Sequence, residues 1–534
     1  MNFSSLKYRY PSRRALVYGR KGMVATSQPL ASLAGLDVIK KGGNAIDAAI
    51  ATAACLTVVE PTSNGIGSDA FAIVWTGGEI YGLNSSGPAP KAISIYELKN
   101  KGYTSIPKHG TIPVSVPGAP FAWRELSKRF GKLPLSEVLK PAISYAFEGY
   151  PVSPTTAENW KRAFENYKDC LKGEEFKYWF ETFAPSGKAP GVGEIWRSED
   201  MASTLQELAD TECLSFYEGD LADKIDRFFK KHGGYLRKED LSNFRPEWVK
   251  PISTNYRGYD IWELPPNTHG LVVLLALNIL SNFDIEEINA DTYHILIESM
   301  KLAYADGLEY ITDLKNMKTY VADLMNKEYS YRRSKLIGKE ALLPKFGVPN
   351  LGGTVYLSTA DGEGNMVSYI QSNYMGFGSG IVVPNTGISL HNRGFTFSLD
   401  PSHINCLEPG KKTYHTLIPG FISKNNEAIG PFGVMGAYMQ PQGHLQVVTN
   451  MIDFHMNPQE AIDAPRWQWI DDKTIDVEES FSVDIAGSLR QKGHNIVFSK
   501  DVSSFGRGQI ILKDGNGVLI GGTEPRTDGM VCAW

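Results

Sequence analysis

Apolar runs along this chain alternate with clusters of glycine, proline and small polar residues, and the length of each run sorts the elements. Residues 45–59 are alanine-rich and uninterrupted, which reads as a helix, and the apolar run 70–75 has the length of a strand. Between them, Gly65-Ile66-Gly67-Ser68-Asp69-Ala70 has the GxGxxA form of a dinucleotide loop. That fingerprint requires a strand before the glycines and a helix after them. Here the order is reversed, so the glycines read as a tight turn that brings a helix against a strand. The longest apolar stretch, 271–280, falls short of the about 18 residues needed to cross a bilayer, and no membrane partner is expected. Further on, Asp291 would cap a helix carrying His294 and Glu298 four apart on one face. From Gly338 to Gly353, Pro344, Gly347, Pro349, Asn350 and Gly352 interrupt any period, as in a loose surface loop. Two short runs rich in Val, Tyr, Thr, Ile and Ser follow, 354–360 and 366–372, separated by Asp361-Gly362-Glu363-Gly364-Asn365; this is a β-hairpin pattern. The chain is therefore expected to be helix-rich to about Lys339 and strand-rich after Thr354.

Composition narrows the function classes. The 534 residues are 42% hydrophobic, 21% charged and 11% aromatic, an ordinary globular balance. Length alone suggests about three or four domains. With 54 basic against 59 acidic residues the formal net charge is −5, which is no footprint for nucleic acid. Cys55, Cys170, Cys213, Cys406 and Cys532 are scattered without a CxxC pair, a sparse, odd set that reads as thiols of a reducing compartment. Lys7, Arg9, Arg13 and Arg14 are followed by Arg20 and Lys21 before any apolar signal-peptide core appears, so a cytoplasmic location is expected. His294 and Glu298 could ligate a metal, but no third ligand has suggestive spacing and HExxH is absent. A packed polar pair is expected there, with no metal and no cofactor.

The candidate chemistry sits at the first residue of the hairpin. A threonine hydroxyl is a poor nucleophile, but a chain-terminal α-amine titrates at about 7.7–8.0 and can serve as its base. Cleavage between Gly353 and Thr354 would create that pair. Gly352 and Gly353 lack Cβ and tolerate the backbone strain of a hydroxyl attacking its own preceding carbonyl. Gly-Gly-Thr is too common to carry this alone. The segment from Gly352 through the hairpin to the glycine run Gly376-Phe377-Gly378-Ser379-Gly380 resembles the start of the small subunit of the γ-glutamyltransferase (glutathione hydrolase) family, whose members cut themselves before a threonine. The resemblance extends along nearly the whole chain. Gly42-Gly43-Asn44-Ala45-Ile46-Asp47-Ala48-Ala49, Val116-Pro117-Gly118, Phe216-Tyr217-Glu218-Gly219, Pro265-Pro266-Asn267-Thr268-His269-Gly270, the helix from His294 to Asp306 with Glu298, Lys301 and Ala303, and Pro409-Gly410-Lys411 follow in family order.

The resemblance implies an α+β fold, a four-layer αββα sandwich of the N-terminal-nucleophile hydrolase type, divided into a large-subunit region 1–353 and a small-subunit region 354–534. Thr354 matches the nucleophile and Ser372 the residue that hydrogen-bonds it. Gly436 and Ala437 match the pair whose N–H groups form the oxyanion hole at the end of a 433–436 turn; alanine keeps the donor. The substrate half departs from the family. Asn84-Ser85-Ser86-Gly87-Pro88-Ala89-Pro90-Lys91 holds no arginine where γ-glutamyl enzymes clamp the substrate α-carboxylate. The aspartate for the α-amine falls on Thr396, the preceding glutamine on Arg393, a pocket asparagine on Tyr374, and the paired serines on His415 and Thr416, a set that resembles the acylase-like branch. The expected function is a self-processing amidohydrolase or acyltransferase acting on γ-glutamyl or related acyl amides of small molecules or peptides. Water or an amine is the acceptor, and the two chains of the precursor remain associated. A second reading is an acylase for another amide such as glutaryl, with Arg393 supplying the positive charge. A third is an unprocessed precursor that only binds. Arg393 is weighed between a substrate carboxylate and a protein carboxylate, and His415 between touching substrate and orienting a loop.

Overall fold

The computed structural model describes residues 14–344 and 354–534; Gly353, with the rest of 345–353, lies outside them. Two seven-stranded sheets stack face to face. The first runs Met530–Ala533, Gly22–Thr26, Val355–Asp361, Met366–Ser372, Asp69–Thr76, Glu79–Ser85, Glu247–Val249. The second runs Val17–Gly19, Leu519–Thr523, Arg507–Lys513, Glu427–Met435, Gly420–Lys424, Tyr259–Glu263, Ile252–Tyr256. The strand Asp69–Thr76 shows why the run 70–75 is apolar without a break. Its side chains alternate between faces, and both faces are covered. Phe71, Ile73 and Trp75 meet Phe421, Met435 and Ile511 between the sheets, while Ala70, Ala72 and Val74 join the helical core on the other side.

Helices cover each outer face, completing the expected four layers. Ala45–Val59 is buried over its whole length against the first sheet, and its start is fixed by a capping box between Asn44 and Asp47. The second sheet is covered by Gly270–Leu280, Ala290–Tyr310 and Met439–Ile452. The apolar run 271–280 is the first of these, buried all round as such a sequence must be. The helix Ala290–Tyr310 is capped by Asn289 rather than Asp291. Asn289 has the extended backbone of an N-cap, and its side-chain oxygen accepts from the Thr292 N–H at 2.9 Å, whereas Asp291 already lies in the first turn.

One further expectation is corrected. Gly433 is not in a turn: the strand Glu427–Met435 runs through it, and the Tyr356 ring lies 2.5 Å from where a Cβ would sit. The regions 1–353 and 354–534 are interleaved. Strands from both contribute to both sheets, and short strands upstream of Lys339 supply three of the four edges and several inner positions.

Candidate active site

Thr354 is the residue before the strand Val355–Asp361, and the hairpin register sets its neighbour. Val355 pairs with Gln371, which brings Ser372 alongside; Thr354 Oγ1 donates to Ser372 Oγ at 3.0 Å. The Tyr374 backbone N–H donates to the same Ser372 oxygen at 2.7 Å. Thr354 is buried. Tyr374 holds a left-handed backbone, φ 76°, so the chain turns sharply just beyond the serine.

On its other edge Ser372 pairs with Asp69, the head of the next strand. Asp69 accepts from His415 Nε2 at 3.0 Å, and His391 Nε2 and Arg393 Nε each stand 3.7 Å from its oxygens. All four side chains are buried. Burial pushes the Asp69 carboxyl up to about 7, against the opposing pull of Arg393 and the Gly87 N–H. Burial and the nearby guanidinium hold His415 well below 6.5 and bring His391 down to about 3. At neutral pH both imidazoles are therefore uncharged and serve as hydrogen-bonding struts.

The five candidate substrate residues come together around this cluster, although their side chains are largely engaged by the protein. Arg393 lies 4.1 Å over the Tyr374 ring and donates through Nη1 to Thr416 Oγ1 at 2.8 Å. Its Nε and Nη2 have no hydrogen-bond partner among the described residues. Thr396 Oγ1 donates to the Arg393 carbonyl at 2.8 Å and meets Thr413 Oγ1 at 2.7 Å, so its hydroxyl closes a loop. His415 Nε2 donates to Asp69 and its Nδ1 accepts from the Leu417 N–H at 3.2 Å, contacts that orient its loop. In the segment expected to lack an arginine clamp, Asn84 Nδ2 donates instead to Asn267 Oδ1 at 2.9 Å.

Gly436 and Ala437 follow the strand Glu427–Met435 with φ of 139° and 50°. Among the described residues neither backbone N–H donates to a backbone or side-chain acceptor. A cavity of about 430 Å³ opens beside Gly436, walled by Met375, Gly376, Tyr167 and Arg507 among others; none of Tyr374, Arg393, Thr396, His415 and Thr416 lines it.

Away from this site, the His294–Glu298 pair gains a third donor that sequence spacing did not reveal. His494 Nε2 lies 2.8 Å from His294 Nδ1 and 3.8 Å from Glu298 Oε1. The cluster already contains a cation, since Lys301 Nζ donates to Glu298 Oε1 at 2.8 Å and to the Leu342 carbonyl at 2.6 Å. Sequence reasoning also passed over Asp69 as a site residue. Its one signal is a carboxylate at the head of an otherwise apolar run, and its partner His415 lies 346 positions away.

A family model described as Gamma-glutamyltranspeptidase matches residues 31–534. The solved structure of cephalosporin acylase from Bacillus halodurans is 59% identical, with a TM-score of 0.98 over 100% of this chain and 99% of that one. The glutathione hydrolase-like YwrD proenzyme of Bacillus subtilis (strain 168) is 36% identical over 96% of this chain and 98% of its own length. The oxamate amidohydrolase proenzyme of Klebsiella pneumoniae is 32% identical over 96% and 98%. With a buried threonine at the head of its central hairpin, two stacked sheets between helical layers and relatives that are proenzymes of amide-cleaving enzymes, this chain belongs to the gamma-glutamyltranspeptidase family.

Proposed function

We propose that the chain cuts itself between Gly353 and Thr354 and then works as an N-terminal-threonine acylase, on amides whose acyl group is not a zwitterionic amino acid. The observation that carries the nucleophile is Thr354 Oγ1 held 3.0 Å from Ser372 Oγ at the head of a central strand. After cleavage the Thr354 α-amine takes the proton from Oγ1, which attacks the amide carbonyl. The Gly436 and Ala437 N–H groups receive the oxyanion. Collapse expels the amine with the transferred proton and leaves an ester on Thr354, which water or a second amine resolves. The acyl preference is supported by Asn84 and Thr396, which are committed to protein partners where an α-amino acid head would need charges. The similarity to a cephalosporin acylase points the same way. Glutaryl amides are the first to test, because Arg393 Nε and Nη2 have no hydrogen-bond partner among the described residues and a guanidinium fork suits a carboxylate. The five free thiols support a reducing, cytoplasmic setting.

Thr354→Ala should remain one chain and turn over no amide, whereas Thr354→Ser should be cut and keep part of the activity, read by mass spectrometry and amide hydrolysis. For the acyl group, kcat/KM of matched γ-glutamyl and glutaryl amides is compared in the native enzyme and in Arg393→Ala. A native preference for glutaryl that collapses in the variant is expected. A γ-glutamyl preference untouched by the substitution would overturn the acyl assignment.

A further inference from the structure

Thr354, Ser372 and Asp69 stand in one row across three neighbouring strands, and their side chains leave the sheet on the face that carries Tyr356, Ile370 and Phe71 toward the other sheet. Asp69 is thus two strand spacings, about 10 Å, from the threonine. A wholly buried carboxylate is costly unless it is paired, and its counter-charge here is Arg393. The pair is incomplete. Arg393 Nε stands 3.7 Å from Asp69 Oδ2, too far for a hydrogen bond. Among the described residues, Arg393 Nε and Nη2 and Asp69 Oδ1 have no hydrogen-bond partner. The guanidinium is still held, by its stack on Tyr374 and by Nη1 on Thr416 Oγ1. Its open donors leave room for a second anion, and one buried cation would then face two anions.

The other groups around Asp69 cannot relieve that imbalance near neutral pH. His415 Nδ1 accepts from the Leu417 N–H, so Nε2 carries the hydrogen and donates to Asp69 Oδ2. His391 Nδ1 accepts from the Arg393 N–H at 3.0 Å, so its Nε2 carries the hydrogen and faces Asp69 Oδ1 at 3.7 Å. Burial keeps both rings uncharged. It also holds the Tyr217 phenol well above 10 and pushes that of Tyr374 up to about 12, so neither ionises. Lys412 is turned to Glu247, at 3.2 Å. Ser372, Phe71 and the Gly87 N–H bring no net charge. In the cut enzyme the Thr354 α-amine adds a titrating group on the far strand of the row. Asp69 itself can change charge, since burial lifts its carboxyl to about 7 against the pull of Arg393.

On the reading of Arg393 as the acyl-side cation, we propose that Asp69 sets the charge preference of the acyl site: it steadies Arg393 in the unliganded enzyme, and takes a proton from solvent onto Oδ1 when an acyl carboxylate docks on the open donors of the guanidinium. One cation then faces one anion both before and after docking. Asp69 makes and breaks no bond of the substrate and is a positioning residue.

The test uses the mature enzyme and two matched amides, one with a glutaryl group and one with its terminal carboxylate replaced by a carboxamide, from pH 6 to 9. The ratio of their kcat/KM values cancels the titration of the Thr354 amine, which acts on both, and the substrate carboxylate is ionised throughout. In the native enzyme the ratio should be level to about pH 7 and then fall, mainly through KM, by up to about tenfold per pH unit. Asp69→Asn keeps an acceptor for His415 but cannot ionise, and should hold the ratio level over the whole range. Arg393→Ala should bring it close to one at every pH. Should the asparagine variant fail to fold, native enzyme alone decides: glutarate binding, followed by calorimetry in buffers of different ionisation enthalpy, should take up close to one proton at pH 8 and close to none at pH 6. A glutaryl preference that depends on Arg393 but stays level with pH, a slope that survives in Asp69→Asn, or glutarate binding without proton uptake at pH 8 would overturn the role of Asp69 and leave Arg393 as the acyl-side cation. No preference for glutaryl over its carboxamide at any pH would remove both.

Discussion

Glu263 and His444 are wholly buried and share a hydrogen bond of 2.7 Å, an arrangement that keeps one proton between them. Burial raises Glu263 well above 4.5 and takes His444 from 6.5 down to about 3. The unfolded pair binds two protons below about 4.5, one up to about 6.5 and none above, so the folded state holds the extra proton only above about 6.5. Stability contributed by the pair therefore falls as pH rises beyond 6.5, by at most about 1.4 kcal/mol per pH unit. Glu263→Gln keeps a donor to His444 Nδ1 but cannot ionise. Denaturant unfolding from pH 6.5 to 8.5 should show a decline in the native protein that is shallower in the variant; parallel curves would refute the shared proton. At the proposed nucleophile, Ser372→Ala removes the acceptor of both the Thr354 hydroxyl and the Tyr374 N–H. Self-cleavage, followed on gels, should slow about tenfold. Thr354 and Ser372 were named in sequence through the family resemblance, and the short turn between their strands sets them side by side. Asp69 was not, because His391, Arg393 and His415 reach it from segments that only the folded sheets bring near.

At the scale of elements, long periodic segments were legible and short ones were not. The helix Ala45–Val59 and the hairpin strands appear where patterning places them, since each carries its own signal in composition and turn residues. The strands Val17–Gly19, Gly22–Thr26 and Ile252–Tyr256 did not stand out in a region read as helical, for three to five residues hold too little pattern to compete. Buried polar contacts also tie elements together beyond the reach of pattern. The helix Ala290–Tyr310 presents Glu298 and Lys301 to the segment beyond the helix Lys327–Ser334: Glu298 Oε2 accepts from the Leu342 N–H at 3.2 Å while Lys301 holds the Leu342 carbonyl. Both side chains are fully buried, and desolvation dominates each, raising the acid and lowering the base. Lys301→Met strands the carboxyl and should cost about 3–5 kcal/mol in chemical denaturation, whereas Lys301→Met/Glu298→Gln should recover much of it. An unchanged midpoint in the single variant would show that the pair adds nothing.

At the scale of the molecule, the proposed cleavage before Thr354 would divide 534 residues into chains of 353 and 534 − 353 = 181. In the first sheet the pair Val355–Asp361 and Met366–Ser372 is inserted between Gly22–Thr26 and Asp69–Thr76, and Met530–Ala533 closes the far edge. In the second, four strands of the shorter chain are bracketed by strands of the longer one. Neither product owns a complete sheet, so the mature enzyme should unfold in one calorimetric transition with both chains released together. That interleaving makes maturation a one-way step. Before the cut, the chain meets itself at a fixed effective concentration and refolding is unimolecular; afterwards the same contacts require two molecules to find each other. Uncut Thr354→Ala should accordingly recover its fold after denaturation with a yield independent of dilution, while the cut enzyme loses yield as it is diluted. On that proposal, the peptide bond before Thr354 is the record of how the enzyme was assembled, and a mature molecule that unfolds has lost the instructions for returning.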